Sequence, residues 1–301
     1  MKREIQSKIN WIDIISPTEE DLKFLQEKFK LHPILIDELK QPSTRSKIEI
    51  YDKLMFVVYY FSSYNEIEKT SEAIEVDFLI TDKNLITVHY KNYEPLEEIF
   101  NSLKNNLLDP HLNQSPAHLL YYILENGLIF SLRQLTHIQE KIKTIECDLF
   151  KGEHKSLIER IAIVKRDILD QRIIARLQHP ILESLKVKGI NFFGKNLEIY
   201  FNDLLGDYEK LWMSIDNLKE TIESLENTNN TFFESRTNEI MKILTIMAFI
   251  TFPLTLFSSI FSMNTKNTPL VDSPYGFWYI VGLMILFALI FLAIFKKKKW
   301  L

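Results

Sequence analysis

The sequence predicts an α+β soluble domain with long helices, followed by two C-terminal transmembrane helices, and three observations carry that expectation. Two uncharged apolar runs lie near the end of the chain, 19 residues from Ile243 to Phe261 and 21 from Tyr275 to Phe295. A helix over either reaches roughly 28–32 Å, the hydrocarbon thickness of a bilayer. The first hundred residues hold short runs of β-branched and aromatic residues between helix-length segments. From Leu197 to Leu225 apolar residues recur alternately four and three apart, which is the spacing of a helix-on-helix seam.

Taken in order, residues 8–14 (KINWIDI) alternate in polarity like an edge strand. Ser16-Pro17-Thr18-Glu19 then reads as a helix start, with Ser16 as cap, Pro17 in the first helical position and Glu19 closing a capping box. A second short helix, ILIDELK, opens at His32-Pro33 and ends before Pro42. Three strands are expected at Leu54–Phe61, Ala73–Ile80 and Asn84–Tyr90, the last two joined by the polar turn Thr81-Asp82-Lys83. After Pro116 the period becomes helical. Leu135, Ile138, Ile142, Ile145 and Leu149 form one stripe, Lys151-Gly152-Glu153 a turn, and Leu157, Ile161, Val164 and Ile168 resume the stripe as a hairpin.

The longest seam is Leu197, Phe201, Leu204, Tyr208, Leu211, Ile215, Leu218, Ile222 and Leu225. With no Gly or Pro between Asp207 and Phe252, one helix of some sixty residues is expected to run from the cytosol into the bilayer. Its stripe needs the helical hairpin as local partner. Its spanning part carries Thr245, Thr251, Thr255, Ser258 and Ser259, with Pro253 near the middle. Those groups call for neighbouring helices or a wet cavity, so several copies of the chain should meet. The expected divisions are a cytosolic α/β domain (1–112), a cytosolic helical hairpin (113–190), a stalk helix continuing into the first span (191–262), an extracytosolic loop (263–274), and the second span with its basic tail (275–301).

Arg236, Lys242 and Lys296 to Lys299 flank the spans on one side, while the loop between them has only Lys266, which places both termini in the cytosol. The N-terminus, MKREIQSKIN, has no apolar core and does not read as a signal peptide. The single cysteine, Cys147, fits a reducing compartment. A net charge of -4 with interspersed signs gives no reason to expect a nucleic-acid partner. No enzyme constellation appears: the seven glycines form no phosphate-cradling loop, and HExxH, CxxC and GxSxG are absent. His111 and His118, seven apart, could share one helical face, but solvated surface histidines are the expected reading. No catalytic residue and no organic cofactor are expected.

The first span ends in Phe261-Ser262-Met263-Asn264, and the second ends in Lys296 to Lys299 followed by Trp300-Leu301. Here the chain resembles the CorA family of divalent-cation channels, whose mark is Gly-Met-Asn at the end of the first of two C-terminal spans. NEIMKILTI before the span, PLTL around Pro253, YFND at Tyr200 to Asp203 and LHPILIDEL lie in the same register, so the likeness covers nearly the whole chain. Ser262 stands where the family has glycine.

The resemblance implies a CorA-like funnel, homopentameric in the plasma (inner) membrane, that admits magnesium and also cobalt or nickel. It implies a selectivity ring at Ser262, Met263 and Asn264, and a pore lined by Asn238, Met241, Leu244, Ala248, Phe252 and Thr255. It further implies a regulatory magnesium held between subunits by Asp37, Glu38 and Asp203, and a basic collar of Lys296, Lys297, Lys298 and Lys299. Physically, a ring of Asn264 carboxamide oxygens suits a hydrated ion that sheds water reluctantly. The residues alone also allow Asn264 as a helix cap, Met241, Leu244 and Phe252 as contacts to lipid or the second span, and the three acids as solvated carboxylates. Two other functions fit the same sequence: zinc or magnesium efflux by the same fold, and a non-conducting membrane-anchored scaffold.

Overall fold

The computed structural model describes every residue except 1, 7, 44, 106, 108–113, 152, 153, 264–273 and 299–301. The chain forms two compact units, Met1–Glu226 and Asn227–Leu301.

The first unit is built on strands β1 (Lys2–Gln6), β2 (Asn10–Ile15), β3 (Lys47–Tyr51), β4 (Leu54–Asn65), β5 (Thr70–Ile80) and β6 (Asn84–His89). They form one sheet in the order β1-β2-β6-β5-β4-β3. The three strands expected from Leu54 to Tyr90 are present, and β4 and β5 pair in a long antiparallel ladder from Met55–Ile80 to Asn65–Thr70. The KINWIDI segment is not an edge. β1 pairs with β2 antiparallel on one side, and β6 pairs with it parallel on the other. Trp11, Ile12, Asp13 and Ile14 are accordingly buried on both faces. The edge on this side of the sheet is β1, which is short and charged, as exposed edges tend to be.

Helix α1 (Glu19–Phe29) starts two residues later than the Ser16 cap implied. Thr18 is the cap: its hydroxyl accepts from the Asp21 amide at 3.2 Å, and the Asp21 carboxylate accepts from the Thr18 amide at 3.1 Å. Ser16 instead follows β2 directly with φ of 49° and donates its amide to the His89 carbonyl at 2.8 Å, so it is not free to cap. Helix α2 (Pro33–Glu38) is capped by the His32 ring, which accepts from the Ile34 amide. Together α1 and α2 cover one face of the sheet, where Leu25 and Leu35 meet Ile14, Phe56, Val58 and Leu79.

The opposite face carries α3 (Glu94–Lys104), α4 (Pro116–Lys151), α5 (His154–Ser184) and the first part of α7 (Glu198–Phe261). Every residue of the expected hairpin stripes is buried, as are all nine seam residues from Leu197 to Leu225, and they share one cluster with the sheet. The seam's local partner is therefore the hairpin. Gly152 and Glu153 of the expected turn lie outside the described residues. After α5 come a π turn (Leu185–Gly189), the short α6 (Ile190–Phe193) and a 3-10 turn (Lys195–Leu197). The chain reverses at Gly194, whose φ of 109° is open to glycine and strained for other residues.

In the second unit, α7 continues unbroken through Pro253, which leaves the Phe249 carbonyl without its helical donor. It packs on α8 (Gly276–Lys297) through Phe249–Phe295 and Phe257–Phe287, whose ring centroids are 6.4 and 5.2 Å apart. Both helices are long and apolar enough to cross a membrane.

Candidate functional site

The spanning part of α7 has two unlike faces. Ile246 is buried, and with Phe249 and Phe257 it marks the side turned to α8. At 3.6 residues per turn, Met241, Leu244, Ala248, Phe252 and Thr255 fall on the half of the helix opposite Ile246, and Asn238 lies at its margin. All six are exposed, Phe252 to 75%. The Thr255 hydroxyl donates to the Thr251 carbonyl at 2.9 Å, and Thr245 and Thr251 make the same bond to Met241 and Met247. The donor of Thr255 is thus spent on its own helix, and its oxygen presents only acceptor lone pairs outward.

Ser262 continues the last turn of α7. Its amide bonds to the Ser258 carbonyl at 3.0 Å, and Met263 bonds to Ile260 at 3.3 Å. Among the described residues, the non-glycine positions with positive φ are Ser16, Lys30, Asp52 and Lys69. Ser262 is not one of them, so the backbone here does not require the glycine it replaces. Asn264 lies outside the described residues. At the other end of α8, Lys296, Lys297 and Lys298 are exposed in or just past the last turn, where cations complement the helix dipole; Lys299 lies outside the described residues. Tyr275, Phe277, Trp278 and Tyr279 are exposed around the start of α8, the composition of a membrane interface.

The acidic residues expected to act together occupy different settings in the single chain. Asp37 pairs with Lys40 at 2.6 Å and Glu38 with Lys47 at 2.5 Å, on the rim of an open cleft of about 410 Å³. Asp203 instead meets Glu125 and Asp207, with carboxylate oxygens of all three within 4.8 Å of one another. The Tyr121 hydroxyl lies 2.8 Å from both Glu125 Oε1 and Asp203 Oδ2. One phenol carries one proton, so the two contacts close together only if one carboxyl keeps its own. Burial and the nearby Asp203 and Asp207 raise the Glu125 pKa above the ordinary carboxylate value, against the opposing Tyr121 bond. An all-oxygen set of this kind fits a hard divalent cation such as magnesium or calcium. Glu125 and Asp207 escaped the sequence reading, although Tyr121/Glu125 and Asp203/Asp207 each stand one helical turn apart.

A mixed sheet flanked by helices, a long helical hairpin and two terminal apolar helices define a two-span membrane protein with a large soluble part. A family described as "CorA-like Mg2+ transporter protein" matches residues 6–297. The cobalt/magnesium transport protein CorA of Thermotoga maritima is 25% identical, covering 97% of this chain and 83% of that protein. The protein of the same name from Methanocaldococcus jannaschii is 23% identical over 97% of this chain and 91% of its own length. Among solved structures, the complete CorA magnesium transporter from Methanocaldococcus jannaschii matches with a TM-score of 0.85 at 21% identity, covering 98% of this chain and 92% of that one. The ZntB cytoplasmic domain from Vibrio parahaemolyticus matches at a TM-score of 0.57 and 15% identity, covering 76% and 90%. The chain belongs to the CorA-like Mg2+ transporter family.

Proposed function

We propose that the chain assembles as a homopentamer in the plasma (inner) membrane, with both termini cytosolic, and conducts magnesium passively inward, also passing cobalt or nickel. The observation that carries this reading is the face of α7 turned away from α8. Met241, Leu244, Ala248, Phe252 and Thr255 are exposed along it in a single chain, and copies of that face set around an axis would wall a path. A divalent cation entering through Asn264 would meet the acceptor oxygens of Thr255, then a constriction at Phe252, Leu244 and Met241. Apolar rings of this kind gate by dewetting. The membrane potential supplies about 2.3 kcal/mol per charge per 100 mV, roughly twice that for a divalent ion, so no nucleotide site is needed. Lys296 to Lys299 would ring the cytosolic mouth and anchor it to lipid headgroups.

Cytosolic magnesium would act as its own regulator. Asp203, together with Glu125 and Asp207, would hold the ion, and Asp37 and Glu38 would contribute across a subunit boundary. Carboxylates brought together repel unless a cation bridges them, so internal magnesium would favour the closed ring.

The test is uptake of magnesium against zinc into proteoliposomes, with Asn264→Ala as the control. Inward magnesium flux that falls with Asn264→Ala supports the reading. Flux of zinc alone, or outward only, would assign the efflux function, and no flux would leave the scaffold.

A further inference from the structure

Glu75 and Asp77 stand two apart on β5 and so share one face of the sheet, the face under α1 and α2. Asp77 is fully buried and Glu75 is 6% exposed. Neither is matched by a cation among the described contacts. The groups turned toward them are Tyr60 from β4, which interacts with Glu75, Tyr90 just past β6, whose hydroxyl donates to Asp77 Oδ2 at 3.2 Å, and Glu38 from α2, which acts through space as a further negative charge. The Ser43 amide donates to Glu75 Oε1 at 2.7 Å. Each carboxyl keeps one oxygen that meets no donor, Glu75 Oε2 and Asp77 Oδ1, and the two side chains leave the same face of one strand as neighbours.

Two ionised carboxylates in that position would bury two negative charges side by side with an acceptor facing an acceptor, a costly arrangement. One proton changes the count, because a carboxylic acid donates to a carboxylate and supplies the missing donor. We infer that Glu75 and Asp77 form a carboxylic acid–carboxylate pair that binds one proton at neutral pH, and that losing this proton releases the connection from Lys40 to Ser43. Consistent with this, burial, reinforced by the charge of Glu75, raises the Asp77 pKa well above the ordinary value, and the two acids titrate as a unit.

The release follows from where the pair is tied. Glu75 is the less buried partner, and its other oxygen holds the Ser43 amide. The Ser43 carbonyl in turn accepts from the Tyr60 hydroxyl at 2.6 Å. Repulsion after the proton leaves pushes Glu75 outward and weakens its bond to Ser43. Ser43 borders the cleft that also holds Asp37 and Glu38. Rising cytosolic pH is thereby converted into loosening of the segment that follows α2. The inference concerns the soluble unit and stands whether or not the chain conducts.

The experiment uses the full chain in detergent micelles. Infrared spectra should show a carboxylic-acid C=O band at neutral pH that is lost in Asp77→Asn. Amide exchange at Ser43, expressed as a protection factor so that base catalysis divides out, should fall about tenfold from mildly acidic to mildly alkaline pH, as one hydrogen bond to a charged group is worth. The fall should track loss of the band in the unmodified protein and vanish in Asp77→Asn. Glu75→Gln, which keeps an acceptor for Ser43 but removes the charge on which the repulsion acts, should also remove the pH step. Absence of the band in the unmodified protein, or the same pH step in both variants, overturns the inference. So does loss of the band on adding magnesium at neutral pH, which would make the pair a cation site.

Discussion

Replacing Gly127 with alanine tests the packing that joins the sheet to the hairpin. A Cβ added at Gly127 on α4 falls 2.3 Å from Cε1 and 2.4 Å from Cδ1 of Phe61, where ordinary contact begins near 3.4 Å. The ring would have to retreat by about 1 Å, and it has nowhere to go. Phe61 is fully buried, stacked 4.7 Å from Tyr93 and packed 4.8 Å from Tyr59. Overpacking of this kind costs about 1–3 kcal/mol, while removing a glycine from a helix interior gains up to ~1 kcal/mol. The net expectation is a loss of about 1–2 kcal/mol, or a fall of about 3–6 °C in the melting temperature of the first unit. Differential scanning fluorimetry of the full chain in detergent reads it. Gly206→Ala on α7, where an added Cβ meets nothing within 4 Å, should instead raise the melting temperature by about 2–4 °C. Adding Phe61→Leu to Gly127→Ala should recover most of the loss relative to Phe61→Leu alone. A neutral or stabilising Gly127→Ala, or strict additivity in the double variant, would refute the reasoning.

Asp13 is buried with His89, Thr87 and Arg3 around it, Arg3 Nε at 2.7 Å. Burial raises its pKa, but the bonds and charges of His89, with Thr87 and Arg3, outweigh that and hold it below the usual value. Its stabilisation is therefore present above the unfolded carboxylate pKa and lost as pH falls through the folded one. Asp13→Asn should cost about 3–5 kcal/mol at neutral pH and flatten the acid limb of a melting-temperature profile; an unchanged limb counts against the network. Ser262→Gly should change magnesium flux less than about twofold, since the helical turn asks for no left-handed backbone; a large gain in proteoliposome flux would mark the serine as a lesion. Tyr121→Phe removes a donor that competes with a cation for Asp203 and Glu125, so half-inhibition by internal magnesium should need about tenfold less of it, one hydrogen bond to a carboxylate being worth about that. Inhibition should also weaken as pH falls and Glu125 keeps its proton; an unchanged requirement in Tyr121→Phe would remove the cluster from regulation.

The helical parts were legible because burial there is periodic and local. Leu197 through Leu225 announce their buried face without reference to the rest of the chain, and all nine proved buried. Strand β3 and α3 went unread, and so did β1, since KREIQ buries little and is held by its pairing with β2. The edge assignment for residues 8–14 failed for the same reason, because pairing partners some seventy residues away decide whether a strand is central. At α1 the sequence points to Ser16 as the cap, but the tie between the Ser16 amide and His89 takes it away and Thr18 caps instead. The acidic site shows the limit most clearly. Asp203 could be chosen from its local motif, but its partner Glu125 comes from α4, and only the packing of α4 against α7 brings the two together.

Cysteine accessibility along α7 tests most directly whether identical chains wall an aqueous path. In a background where the exposed Cys147 is replaced by serine, Thr255→Cys should react with a charged, water-soluble thiol reagent and magnesium uptake should stop. Phe257→Cys, on the side packed against Phe287 of α8, should stay unmodified and leave uptake intact. An unreactive Thr255→Cys, or one that is modified without any effect on uptake, would contradict the account.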